Sequence, residues 1–167
     1  MKDKKSARSI DAHKILVMLR LTNDAIYRIR QQELKKAKLT PEQAITILNI
    51  HFLGERATAA ELARYSFRER ASMAEILARL EKNGLITKTP DKNRKNVMKI
   101  RLTVEGERFH REALRIDSIT SIVNTLSEKE REQLWMLLDK LKDQALKKLK
   151  IDLKTFASFF KELSDLE

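Results

Sequence analysis

The chain contains no cysteine, which excludes disulfides, thiolate-held metals and thiol-based peroxide sensing. Glycine occurs three times and proline twice in 167 residues. With so few breakers, the chain is expected to be mostly helical. No stretch approaches the run of about 18 apolar residues that spans a membrane, and no apolar segment follows the amino-terminal lysines. Neither a membrane span nor a secretion signal is expected, and a cytoplasmic location follows. The three histidines, His13, His51 and His110, are far apart in the chain and form no His-x-x-His or His-x-x-x-His pair; no metal and no cofactor are expected. A nucleophile elbow, a glycine-rich phosphate loop and paired carboxylates in a loop-rich setting are all missing, so an enzyme is not expected.

What the chain does have is charge and helical periodicity. Hydrophobic residues make up 42% and charged residues 35%, with a formal net charge of +11 and a pI near 9.9. The apolar share is enough for a core and too large for a disordered chain. Between Gly54 and Thr103 there are twelve Lys or Arg against six Asp or Glu, net +6. More than half of the excess charge therefore lies on under a third of the chain, which suits a polyanionic partner.

That same stretch has the most telling order of elements. Thr58-Ala-Ala-Glu is a capping box that opens a short helix, with Leu62 and Ala63 inward. Met73, Ile76, Leu77 and Leu80 then fall at i, i+3, i+4 and i+7, one stripe of a second helix from about Arg70 to Asn83. Gly84 stops it, because glycine takes the left-handed position after a helix without strain. Leu85 and Ile86 open an extended segment, Pro90 to Asn96 has turn composition, and Met98, Ile100 and Leu102 alternate with Lys99 and Arg101 at period two. Helix, helix and β-hairpin in this order predict a winged helix-turn-helix.

Upstream, Ile15, Leu19, Ile26 and Ile29 mark a helix from residue 10 to about 37, broadened by Leu16, Val17, Met18 and Leu21. So wide an apolar arc requires cover on more than one side. Thr40-Pro-Glu-Gln starts the next helix, with threonine as N-cap, proline at the first position and Gln43 returning the hydrogen bond; Ala44, Ile47, Leu48 and His51 are expected inward. Downstream, Thr103 caps a fifth helix expected to run to about Thr125, with Phe109, Ala113, Ile116, Ile119 and Val123 inward. Ser127-Glu-Lys-Glu opens a sixth, with Leu134, Leu137, Leu138, Leu141, Ala145 and Leu149 on one side. A helix so long and one-sided needs a partner. Phe156, Phe159, Phe160 and Leu163 continue at helical spacing beyond Lys150; extra core or interface is the ordinary reading, and a helix that docks on another protein or lids a ligand cavity is the sharper one.

Glu61-Leu-Ala, Leu80-Glu-Lys-Asn-Gly-Leu-Ile, Leu102-Thr-Val-Glu-Gly and the upstream Leu39-Thr-Pro-Glu-Gln together resemble the MarR-type (multiple antibiotic resistance regulator) transcription factors over roughly residues 10 to 150. The fold class implied is mainly α with a small antiparallel β-hairpin: a winged helix-turn-helix core flanked by amino- and carboxy-terminal dimerisation helices. The divisions expected are a basic tail at 1–9, a packing helix at 10–37, the DNA-binding domain at 38–104, dimerisation helices at 105–150 and a Phe-rich extension at 151–167. The resemblance implies a homodimer on a near-palindromic double-stranded operator, acting as a repressor and released by a small-molecule effector. No membrane is involved.

On the recognition helix, Arg68 and Arg70 are placed to meet guanine edges or phosphate, Ser72 phosphate, and Glu75 either a cytosine amine or a neighbouring arginine. So few polar readers leave part of the specificity to DNA shape. Lys92, Arg94 and Lys95 supply the cations of the wing, and Lys88 is expected to contact DNA with them. In the resembled family an aspartate orients a wing arginine into the minor groove. Counted back without gaps from Leu102-Thr103, the aspartate position holds Arg94 and the arginine positions hold Lys95 and Asn96. Arg94 is nonetheless the expected minor-groove residue, since guanidinium is weakly hydrated and suits narrow grooves. Ile15, Leu19, Leu134, Leu138, Leu141, Phe156, Phe159 and Phe160 are expected at the dimer interface. Tyr27, His51 and Phe109 are the effector candidates that the family's pocket implies. Two alternatives stay open: a winged helix that binds another protein, and a protein that coats DNA regardless of sequence.

Overall fold

The computed structural model describes residues 11–92 and 94–151. Seven α-helices and one hairpin follow in the order α1 (Ala12–Leu34), α2 (Pro41–Leu53), a 3₁₀ turn (Gly54–Arg56), α3 (Ala59–Tyr65), α4 (Arg70–Lys82), β1 (Ile86–Pro90), β2 (Met98–Leu102), α5 (Val104–Leu114), α6 (Asp117–Val123) and α7 (Glu128–Lys148). The basic tail at 1–9 and the Phe-rich extension, with Phe156, Phe159, Phe160 and Leu163, lie outside the described residues.

Local chemistry sets most helix starts. Thr40 and Ser127 form complete capping boxes with Gln43 and Glu130, while Asp11, Thr58 and Thr103 each accept from the backbone N–H three residues on. Such bonds satisfy donors that the first turn leaves without a helical partner. At the end of α4, Gly84 takes φ +69° and lets the Leu85 N–H reach the Leu80 carbonyl at 2.9 Å. The two strands pair antiparallel with Lys88 opposite Ile100, and a lone bridge from Thr58 to Lys99 ties the hairpin to the turn ahead of α3.

The core sits around α2, which packs on α1, α3, α4, α5 and β2. Ile47, Leu62, Met73, Leu77, Leu80 and Ile100 are its fully buried centre. The stripe of α4 is buried as its spacing predicts. His51 is not: the core takes Ile47, Ile50 and Leu53 from α2, which turns His51 to an exposed flank.

The expected single helix from Thr103 to Thr125 is broken. Its first part ends at Leu114, Arg115 is extended at ψ 114°, and a new helix starts after Ile116. Two residues of α1 hold the break. Arg30 donates to the carbonyls of Ala113 and Arg115, at 3.0 and 2.5 Å, and Glu33 accepts from the Ser118 N–H at 2.8 Å. These side chains take over bonds that a continuous helix would have made to itself. Burial alone would raise the Glu33 carboxyl, but the bonds from Ser118 and Arg30 outweigh it and hold the pKa below the ordinary value. As a consequence Ala113 is buried while Ile116 and Val123 face outward with Ile122.

Over most of its length α7 is barely packed; only Leu146 is buried on it. Leu134, Trp135, Leu137, Leu138 and Leu141 are exposed, as are Ile15, Leu16, Met18 and Leu19 of α1.

Candidate nucleic-acid interface

The turn between α3 and α4 points a short cationic edge away from the core. Phe67 at φ +50° reverses the chain within a few residues, and the Arg68 N–H closes the turn on the Ala63 carbonyl at 2.9 Å. Buried Asn49 braces it from α2, donating to the Ser66 hydroxyl at 3.1 Å. On α4, Met73, Ile76, Leu77 and Leu80 point inward. Arg70, Ala71, Ala74, Glu75 and Ala78 are exposed, and Ser72 is half-buried between the two faces. The reading face therefore has the composition that the sequence predicts.

The arginines at the entrance to α4 are not equivalent. Arg68 lies 3.8 Å from the Glu42 carboxylate, and Glu42 accepts the Tyr27 hydroxyl at 2.6 Å. Burial would raise the Glu42 pKa, but the Tyr27 bond, with backbone and Thr40 contacts and the Arg68 charge, leaves it lowered. Arg68 is thus tied through Glu42 to the first helix. Arg70 makes no ion pair among the described residues, so its charge is uncompensated. Glu75 lies 3.9 Å from Arg79 one turn on, the arginine-orienting arrangement rather than a free acceptor.

In the wing, an aspartate that the gapless count does not reach meets the arginine. Asp91, three residues before Arg94, accepts from the Arg94 backbone N–H at 3.0 Å and from its Nε and Nη2 at 3.2 and 3.0 Å. Its side chain is only 4% exposed, whereas that of Arg94 is 55% exposed. An aspartate does hold the wing arginine, from an earlier position. The signal was present in the sequence as Asp91-x-x-Arg94, since a short aspartate side chain can bond nearby backbone N–H groups. Asp91→Ala should leave the fold intact and free Arg94 from its bidentate partner. DNA affinity is expected to fall by several-fold, most at AT-rich flanks, when anisotropy is compared with Asp91→Asn, which keeps the backbone bond; equal affinity of wild type and both variants would remove the pair from DNA contact.

Lys92 and Lys95 are exposed at the tip. Lys88 is not a tip residue: from mid-strand it donates to Glu81 at 2.6 Å, so its charge is spent on the end of α4. Glu55 gathers Lys99 and Arg101 of β2 at 3.0 and 2.8 Å and anchors the root of the hairpin.

The three effector candidates sit in different surroundings. Tyr27 lines an open groove with Asp24, Arg28, Gln31 and Gln32, while Phe109 lines another with Lys36, Ala37, Lys38 and Glu112. His51 instead stacks on His110, ring centres 3.9 Å apart, with Glu107 at 3.3 Å from its Nδ1. The histidines that are far apart in sequence are thus neighbours, because α2 packs along α5.

Residues 37–95 match a model of the MarR family. The fold matches MepR of S. aureus in complex with DNA, with 23% identity over 77% of this chain and 96% of that one and a TM-score of 0.69. It also matches the organohalide-sensing transcriptional regulator RdhR in its 2,4-dichlorophenol-bound form, with 26% identity, 84% and 89% coverage and a TM-score of 0.72. A mutant MarR from E. coli complexed with operator DNA matches at 19% identity, 79% and 99% coverage and a TM-score of 0.70. Residues 37–95 are thus similar to the MarR family, and the chain around them shares the winged helix-turn-helix fold of these solved structures.

Proposed function

We propose that this protein is a dimeric DNA-binding transcriptional regulator that represses from a near-palindromic operator and leaves it when a small molecule binds. The observation that carries DNA binding is the α4 edge: an apolar stripe locked in the core leaves Arg68, Arg70 and Ser72 at the amino-terminal end of an exposed, small-residue face. That is the part of a recognition helix that reaches base edges in the major groove. The Asp91-held Arg94, with Lys92 and Lys95, supplies a second contact at the wing. MepR and MarR have been solved on DNA, which supports the same use of this fold here. The family's members are regulators and not enzymes.

Dimerisation is supported by the apolar faces that one chain leaves uncovered. Ile15 and Leu19 of α1 and Leu134, Leu138 and Leu141 of α7 are each more than 40% exposed. Contiguous apolar surface of this kind marks an interface, and a two-fold dimer presents two recognition helices to two half-sites. On this reading residues 38–104 bind DNA, while 10–37 and 105–150 hold the two copies together. Release by an effector has its support in RdhR, whose solved form holds a chlorophenol.

The test is fluorescence anisotropy with the protein's own upstream DNA and a scrambled duplex of equal length at two salt concentrations. Tighter binding to the native duplex by roughly a thousandfold or more, the low end for specific readers, is the expected result. Log affinity should fall with log salt at about 0.9 per phosphate neutralised. Equal affinities would point to a DNA-coating protein, and no binding to either would point to a protein-interaction module.

A further inference from the structure

The α2–α5 junction gathers three side chains that DNA reading does not use. Glu107 and His110 stand three residues apart on α5, and that spacing puts both on one helical face. His51 comes to them from the last turn of α2. The Nδ1 atom of His51 is 3.3 Å from Oε2 of Glu107, and the two imidazoles lie nearly parallel, 19° apart and 3.9 Å between centres. One donor atom from each of the three residues lies within 4.8 Å of the others.

Two donors held about 2.1 Å from one tetrahedral ion are roughly 3.4 Å apart. The His51–Glu107 pair is already at that span, and a donor atom of His110 lies within 4.8 Å of both. We propose that His51, Glu107 and His110 form a binding site for a borderline divalent transition-metal ion, of which zinc is the representative. Two imidazoles and one carboxylate are the donor set that such ions prefer, whereas calcium and magnesium favour oxygen alone. The side chains of His51 and Glu107 are about half exposed, so an ion enters from solvent and water fills the remaining position. An ion here joins α2, at the heart of the winged helix, to α5, which leads to the dimerisation helices. The site stands whether or not the chain binds DNA.

Isothermal titration of zinc chloride into the chelator-treated full-length chain tests it. One ion per chain is expected in the wild type and in His13→Gln, whose histidine is exposed on α1, with binding at least about tenfold weaker in His51→Gln and His110→Gln, since even outer-shell losses cost that much. The thermal midpoint of the wild type should rise with zinc while that of His51→Gln stays put. Absence of uptake by the wild type, uptake unchanged in both His51→Gln and His110→Gln, or uptake lost in His13→Gln would overturn the site. Should His110→Gln fail to fold, imidazole nitrogen resonances of the wild type decide: zinc must move those of His51 and His110, and movement of His13 alone overturns the proposal.

Discussion

Gly106→Ala is expected to destabilise the protein by about 3 kcal/mol or more, the upper end for overpacking, and to lower the thermal midpoint by roughly 6–12 °C. The sign is what makes the experiment informative. Gly106 lies in the first turns of α5, where alanine would ordinarily be favoured over glycine by about 1 kcal/mol. A Cβ at this position, however, overlaps the Leu85 carbonyl oxygen and comes within 3.1 Å of its carbon and 3.2 Å of the Leu102 Cβ. That carbonyl cannot swing aside freely, because it accepts the Thr103 N–H at 3.1 Å. Thr103 in turn donates its hydroxyl to the Gly84 carbonyl at 2.7 Å and caps the Gly106 N–H at 3.0 Å. The end of α4, the hairpin and the start of α5 thus meet with no room for a methyl group. Thermal unfolding followed by circular dichroism measures it; a midpoint equal to or above that of the wild type would show that α5 does not pack this closely.

Arg70→Ala is expected to weaken operator binding by about one and a half to four orders of magnitude while leaving stability within about 0.5 kcal/mol, as an exposed substitution should. A bidentate arginine contact to guanine discriminates by about 1–3 kcal/mol. A two-fold dimer makes that contact twice, so the loss is about 2–6 kcal/mol, roughly thirtyfold to ten-thousandfold in affinity. Arg70 is a sharper probe than Arg68, whose removal would also strip Glu42 of a counter-charge and disturb the Tyr27 bond. Anisotropy with the native and scrambled duplexes reads two quantities at once. If Arg70 reads a base, the preference for the native duplex shrinks with the affinity; if it meets phosphate, both duplexes weaken alike and the salt slope drops by about two, roughly 0.9 for each subunit's contact. Unchanged affinity would take Arg70 off the DNA.

The features that were legible in the sequence are those whose cause lies within a few residues. Thr40 with Gln43 and Ser127 with Glu130 close their capping boxes as their spacing predicts. The buried stripe of α4 follows from the 3.6-residue period, and Gly84 from the backbone freedom a left-handed stop requires. Asp91 and Arg94 are likewise a local pair, three residues apart.

Where the reading failed, the deciding group came from a distant part of the chain. Periodicity carries the helix after Thr103 on to Thr125, yet Arg30 and Glu33, more than eighty positions upstream, offer its backbone better partners and break it at Arg115. His51 reads as a core residue of α2 by its spacing, and becomes a neighbour of His110 because α2 lies along α5.

The sequence by itself determined the helices, their caps, the hairpin and the concentration of positive charge between Gly54 and Thr103, since helix and strand periods, capping bonds and net charge depend on neighbours in the chain. Only the tertiary structure decided which charges stay uncompensated, where α5 ends and which histidines share a site. Those outcomes depend on how separate elements pack, and packing brings together side chains whose distance along the chain says nothing about their distance in space.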